Sequence, residues 1–429
     1  MHSSIYRFVL LWAGCQAAVL SAQEWSRFQN GGKLSLGEKT NLKVNWSTKD
    51  IAWEIPLTGY GQSSPVIHQR NLYVTSVSGE MKENLHIHAF DRVSGKLLWK
   101  HDDQNSQPEK NTSYVSRAAP SPVCGAEGVI AFFAGGDLIA LTPEGQLRWR
   151  RNLKADLGAI GVRHGVGGSL EQNQQHVFVW VERQEKPYVL AISKKTGETV
   201  WKADGLGSTS WSSPRLVSVG DSQHLVLSGI GKLAGLDAKT GKRLWSFDKI
   251  SGNSTPTPIP LGEGKFFIGA TVGRGGEAGN AAASNGVIQI EKTADNTFQA
   301  KYVWRAKRAT SSFGSPLPHR GRVYLVNRSG VVYCLDLKTG EEQYAKRTSS
   351  SVWATPIGVG ERVYLFGKNG VTTVIQAGSE FQELAVNTLW ESKPSAARGF
   401  GGPVLYAAVA AGDDLFLRRG DRLYKIAGE

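Results

Sequence analysis

The chain has 429 residues, 40% hydrophobic and 20% charged, a balance that excludes a disordered or collagen-like polymer and predicts a globular protein with a sizeable core. Lysine and arginine (50) outnumber aspartate and glutamate (37), giving a formal net charge of +13, yet no basic block of the kind found in nucleic-acid-binding tails occurs. Three cysteines, Cys15, Cys124 and Cys334, are too few and too scattered for a disulfide scaffold or a zinc ribbon.

Arg7 precedes an apolar run, FVLLWAGCQAAVLSA (8–22), that ends in small residues, which predicts a secretory signal peptide over 1–22 cut after Ala22. Ala13-Gly14-Cys15 offers the alternative of a lipid anchor at Cys15. Either route predicts an exported protein, periplasmic or extracellular. No later run reaches the roughly 18 apolar residues of a membrane span. Residues 23–49, with EWSRFQNGG and NWSTKD, form a leader that carries no catalytic motif.

From Trp53 onward the chain repeats. AFDRVSGKLLW (89–99), AISKKTGETVW (191–201), GLDAKTGKRLW (235–245) and CLDLKTGEEQY (334–344) share one pattern, and ALTPEGQLRW (140–149) is one residue shorter. Each copy places a large aromatic four residues after a turn glycine: Trp99, Trp149, Trp201, Trp245 and Tyr344. Degenerate copies end at Trp304 and Trp390, and Trp53 in DIAWEIPL precedes the first complete unit. The units open on Ser64-Pro65, Ser121-Pro122, Gly168-Ser169, Ser213-Pro214, Thr255-Pro256, Ser315-Pro316, Thr355-Pro356 and Gly402-Pro403.

Between opening and aromatic lie short β-branched and aromatic runs such as Val177-Phe178-Val179 and Val363-Tyr364-Leu365, bounded by Gly, Asn and Asp turns. A four-stranded unit recurring about every 40–60 residues is a propeller blade. The prediction is an all-β, eight-bladed β-propeller over 50–429, each blade a four-stranded antiparallel meander docked on its neighbour by its large aromatic. The last unit has no closing Trp, so the strand around Trp53 should supply its outer strand and close the ring, hiding two sheet edges. GRGGEAGNAAASNG (273–286) reads as a long loop inserted in the fifth unit, and lacks the Lys-Ser/Thr of a phosphate-binding loop.

The A-x-D-x-x-T-G-K-x-x-W pattern, carried best by Ala89 to Trp99 and Gly235 to Trp245, resembles the tryptophan-docking motif of the pyrroloquinoline-quinone (PQQ) repeat propellers. That superfamily includes both quinoprotein alcohol dehydrogenases and the non-catalytic BamB-like proteins of outer-membrane assembly. The leader also resembles that of exported PQQ-like repeat proteins. For the enzymes the resemblance implies PQQ in the central channel, stacked between a disulfide of adjacent cysteines and a Trp, with Ca²⁺ on Glu, Asn and Asp. This sequence has no Cys-Cys pair, and Cys124 and Cys334 fall in blades too far apart to bridge. The segments leading into the inner strands contain almost no carboxylate, Glu171 alone excepted.

The expectation is therefore a non-catalytic exported scaffold or a carbohydrate- or peptide-binding module, with no cofactor and no metal site. PQQ with Ca²⁺ belongs only to the alternative, a quinoprotein oxidoreductase of alcohols or sugars. The same segments converge on one mouth of the channel and bring an aromatic arc, Trp211, Phe313, Trp353 and Phe400, together with Tyr60, Arg117, Arg163, His164 and Arg398. Stacking rings and arginine forks suit a planar or sugar-like anion or a partner's chain; the competing reading is that the rings plug the channel and the arginines cap carbonyls. The partners expected are an envelope protein or an anionic polysaccharide or peptide, with no nucleic acid, and the protein is expected to be a monomer. His86 and His88 in LHIHAF are expected on a solvated strand face, with no third metal ligand in view.

Overall fold

The computed structural model describes residues 24–183, 185–251, 255–271, 281–390 and 403–428, so the expected signal peptide with Cys15 lies outside the described residues. Eight antiparallel sheets form the eight blades of a propeller. Counting from the inner strand to the outer, blade 1 runs from Val66–His68 to Leu97–Gln104, blade 2 from Val123–Gly125 to Leu147–Asn152, and blade 3 from Glu171–Gln172 to Thr199–Asp204. Blade 4 runs from Arg215–Val219 to Arg243–Phe247, blade 5 from Ile259–Gly262 to Phe298–Arg305, blade 6 from Leu317–His319 to Glu342–Arg347, and blade 7 from Ile357–Val359 to Glu383–Thr388. Blade 8 begins at Leu405–Ala411 and is completed by Ile51–Pro56, which pairs antiparallel with Arg422–Ile426. Ring closure by the strand around Trp53 is thus as expected.

Strand character follows position. Middle strands such as Gly128–Phe132 and Asp137–Leu141 are buried on both faces because neighbouring blades cover them, and they read as continuous apolar runs. The outer strand Phe298–Arg305 alternates half-buried and exposed residues, one face packed and one in water.

The blades meet through tryptophans laid on glycines. In most blades a bulge between the third and outer strands puts one residue in a fixed register: Trp99 opposite Ala89, Trp149 opposite Ala140, Trp201 opposite Ala191, Trp245 opposite Gly235. The ring of Trp53, Trp99, Trp149, Trp201 or Trp304 then covers the turn glycine of the next blade, Gly95, Gly145, Gly197, Gly241 or Gly340. These glycines have φ between 73° and 87°, and a Cβ at Gly145 or Gly197 would lie 2.7 Å from the ring, so both the turn and the close approach require glycine. Four of the indoles also donate to a carbonyl of the next blade: Trp99 to Pro143 (2.7 Å), Trp149 to Lys194 (2.9 Å), Trp201 to Ala238 (3.2 Å) and Trp304 to Leu337 (2.9 Å).

Three positions depart from this pattern. In blade 7 the register position after the bulge is Ala385, opposite Val374, and Trp390 lies beyond the outer strand, over Gly370 and against Tyr424 of blade 8. Trp245 has no turn glycine to cover in blade 5; it donates to His224 Nδ1 (3.1 Å) and stacks on Phe266. Tyr344 meets Phe381 edge-on instead of a glycine.

A second system runs along the inner wall. The backbone N–H just before one inner strand donates to a hydroxyl in the next blade, in the order Ser64 to Ser121, Ser121 to Ser169, Ser169 to Ser213, Ser213 to Thr257, Thr257 to Ser315 and Ser315 to Thr355, at 2.8–3.3 Å. This relay corrects one expectation: the fifth blade opens on Thr257-Pro258, not Thr255-Pro256, because Thr257 is the hydroxyl in the chain and Ile259 begins the strand.

The leader is the largest departure from the sequence reading, which gave it no structural role. Trp25 bridges to Ile67 of blade 1, and the Ser26 carbonyl accepts from Cys124 N (2.9 Å) and Gln172 Nε2 (3.0 Å) of blades 2 and 3. The chain then turns through four left-handed residues, Gln29, Asn30, Gly31 and Gly32. Ser35–Leu36 joins blade 7 as a fifth, parallel strand beside Gly358 and Val359. Asn41 N bonds Asp413 (2.7 Å) and Trp46 N bonds Asn387 (2.7 Å), tying the leader to blades 8 and 7.

His86 and His88, expected in solvent, are 5% and 2% exposed. His88 pairs with Val74 in register and stacks on Phe90, on the side of blade 1 that packs against blade 8. Burial, with Arg418 nearby, pushes its pKa down to about 3; burial also lowers those of His224 and His319.

Three outcomes are expected. Gly197→Ala, which forces a methyl into the Trp149 ring at a positive φ, should cost about 1–3 kcal/mol in urea unfolding, and Ala at exposed, unconstrained Gly37 about zero. Ser169→Ala strands the buried Ser121 amide and should cost about 1–3 kcal/mol, against no change for Ser329→Ala at an exposed turn. Because these histidines are neutral when folded, the unfolded chain binds more protons below its ordinary histidine pKa of 6.5. Stability should be level above that value and fall as pH drops from 6.5 towards 3; a urea midpoint unchanged between pH 7.5 and 5 would contradict it.

Candidate functional site

The inner strands run from a mouth built by the loops that precede them to a mouth crossed by the leader. At the leader end, Gln29 is 3% exposed and donates from Nε2 to Ser315 Oγ and Thr355 Oγ1, both at 2.8 Å. Its Oε1 accepts from Arg215 Nη2 (3.0 Å). Arg215 is fully buried and pairs with Glu171 (3.1 Å), whose other oxygen pairs with Arg27 of the leader (2.9 Å). Arg215 also donates to the Phe28 carbonyl. Glu171, the one carboxylate singled out beside an inner strand, is therefore spent on two guanidiniums and cannot offer an open metal ligand.

At the opposite mouth, rings touch in an unbroken series. Tyr60 meets Tyr406 (6.2 Å between centroids, with their hydroxyls 2.6 Å apart), Tyr406 meets Trp353 (5.7 Å), and Trp353 meets Phe313 (4.8 Å). Phe313 meets Tyr114 (6.5 Å), Tyr114 meets His164 (5.3 Å), and His164 meets Trp211 (6.0 Å). The Tyr114–Phe313 contact joins a blade 2 loop to a blade 6 loop, so the series spans the mouth as well as rimming it. Between this roof and the Trp25–Gln29 floor is a chamber with about 40 Å³ open to the centres of water molecules, room for roughly three waters at about 10–15 Å³ each.

The predicted residues divide accordingly. Tyr60, His164, Trp211, Phe313 and Trp353 come together in the roof. His164 holds a left-handed backbone (φ 71°) that turns it between Tyr114 and Trp211. Arg163 beside it is exposed. Arg117 is 4% exposed and its guanidinium is directed at Glu109 (2.5 Å) and at the carbonyls of Glu109 and Lys110, so its fork does not face the mouth. Arg398 and Phe400 lie outside the described residues.

Two roof residues escaped the sequence reading. Tyr114 was in view in the segment SYVSRAA but sits outside the positions that align between loops, because residues 105–120 form a long crossing loop. Tyr406 lies within an inner strand, where a bulge between Leu405 and Ala407 turns it into the channel.

The residues present do not fit PQQ with Ca²⁺. The chamber's roughly 40 Å³, bounded by the described residues, is small for a tricyclic quinone. Cys124 and Cys334 are buried, unpaired thiols in different blades, and among the described residues no group of three or more His, Cys, Asp or Glu could hold a metal ion.

Comparison with known proteins agrees with this architecture. A curated outer membrane protein assembly factor BamB from Nitrosomonas eutropha is 28% identical over 227 residues, 51% of this chain; the chain spans about half the length of that relative, 48% of which is matched. The crystal structure of BamB from Moraxella catarrhalis superposes with a TM-score of 0.57 at 12% identity, over 87% of this chain and 98% of that one. A europium-containing methanol dehydrogenase superposes with a TM-score of 0.56 at 11% identity, over 94% of this chain and 98% of that one. Both structural likenesses speak to fold alone. In sequence, residues 27–160, 158–263 and 296–380 match the profile described as outer membrane protein assembly factor BamB, a match that begins inside the leader, at the arginine that clamps Glu171. With most of its blades covered by that profile, the chain belongs to the BamB-like family of PQQ-repeat propellers.

Proposed function

We propose that this protein is an exported, non-catalytic scaffold of the cell envelope that docks a partner protein on its aromatic channel mouth. The observation that carries this reading is the filling of the channel among the described residues, with the leader below, rings above and a chamber of about 40 Å³ between them. A surface of seven touching aromatic rings remains at the mouth, a composition that protein interfaces favour. Membership of a family described as an assembly factor of the outer membrane supports both a protein partner and an envelope location. Cleavage after Ala22 would leave the mature chain beginning with the leader, which must be present for the floor to form.

The test places a photo-crosslinking phenylalanine analogue at Tyr114 or Trp211 in the full chain and irradiates cells of the native host. One discrete adduct from both positions, lost when Trp353→Ala is added without a fall in melting temperature, is the expected result. No adduct from either position would overturn the scaffold reading. So would stoichiometric quinone uptake and dye-linked alcohol oxidation after purification with added PQQ and Ca²⁺.

A further inference from the structure

Charge around the mouth is strongly uneven. The mouth-facing loops of blades 6 and 7, residues 306–316, 326–330, 347–356 and 366–370, contain Lys307, Arg308, Arg328, Arg347 and Lys368 and no aspartate or glutamate. The corresponding loops of blades 1 to 3 mix both signs, with Glu80, Glu83 and Glu109 beside Lys82, Lys110 and Arg117. Of the five cations, Arg308 is paired with Glu342 of the outer strand, and Arg347 donates to the Ser329 carbonyl (2.7 Å).

Arg328 and Lys368 lie against the aromatic rings of the mouth. Each is exposed and sits in the hairpin joining the second and third strands of its blade. The Arg328 guanidinium lies over Phe313, 5.5 Å from the ring centroid, and the Lys368 ammonium over Trp353, 6.0 Å from its centroid. Phe313 and Trp353 meet edge-to-face at 4.8 Å and 68°, forming a corner rather than a flat platform. The mouth is therefore positive where it is most aromatic. An acidic side chain arriving there meets cations already seated on apolar surface, where the local dielectric is lower and the attraction stronger than on open surface.

We infer that the rim of blades 6 and 7 is a docking subsite for an acidic peptide segment of the partner, one with an apolar side chain beside its carboxylates to enter the Phe313–Trp353 corner. This rests on the scaffold reading above. An anionic polysaccharide would satisfy the charge, but sugars stack on ring faces, and here the cations lie over both rings. A peptide needs only the corner and the charges.

The probe is a fluorescein-labelled octapeptide of six glutamates, one phenylalanine and one leucine, followed by anisotropy on the full mature chain at about 20 and about 200 mM salt. Binding that falls at least about ten-fold in Arg328→Glu/Lys368→Glu, weakens with salt, and is unchanged in Lys110→Glu at the opposite side of the mouth is the expected result. Both reversed residues are exposed, and an unchanged melting temperature confirms that the variant folds. Absence of binding, equal loss in Lys110→Glu, or competition by polygalacturonate that outperforms unlabelled peptide would overturn the inference. The crosslinking experiment separates the two readings. An adduct that persists in Arg328→Glu/Lys368→Glu removes this subsite and leaves the scaffold standing, whereas no adduct in the parent protein removes the scaffold itself.

Discussion

In six of the eight blades the residue just before the inner strand has a backbone N–H on the channel wall, out of reach of its own sheet. Here that donor is satisfied by a hydroxyl of the next blade, from Ser64 through to Thr355, six bonds in series. Each is worth about 1 kcal/mol made and up to about 3 if left unmade in a dry wall. The proline that follows most of these residues fixes φ and brings no N–H of its own, so the opening dipeptide supplies an acceptor, a donor and a stiff entry into the strand. The relay sets the angular spacing of the blades at the axis, as the tryptophan-on-glycine contacts set it at the periphery, and Gln29 inserts its amide into the relay at Ser315 and Thr355.

Much of this was legible in the sequence because both systems repeat. Ser/Thr-Pro openings and Gly-x-x-x-Trp closings recur with the period of a blade, and that count gave eight blades and the ring closed by Trp53. Errors arose where a local signal was duplicated or displaced. TPTPIP offers two openings, and only the hydrogen-bond chain selects Thr257; Trp390 lies near the expected spacing, and only the strand register shows Ala385 in its place. His86 and His88 looked solvated because alternation within one strand cannot report that a neighbouring blade covers it. The leader was illegible because it occurs once: Arg27, Gln29 and Glu171 carry no pattern, and their partners lie up to 326 residues away.

The same non-repeating residues occupy the axis of this propeller. A shared propeller accommodates a methanol dehydrogenase and an assembly factor with comparable superposition, so blade geometry cannot decide between them. The proposed scaffold role rests instead on the contents of the axis. Two arginines about one glutamate, a glutamine inserted between hydroxyls and seven rings over the top line the described part of the channel.

Ile51–Pro56 and the later part of the leader come early in the chain, yet they are held by what comes last: Ile51–Pro56 by Arg422–Ile426, Ser35–Leu36 by blade 7, and Asn41 by Asp413. A chain that emerges N-terminus first cannot complete its ring until nearly all of it is available, so Ile51–Pro56 must wait for the last strands. Contacts across more than 300 residues make this a slow final step. During that interval the edges of blades 7 and 8 are bare, which makes the unfinished ring the form most exposed to proteases and to strand-pairing with other chains.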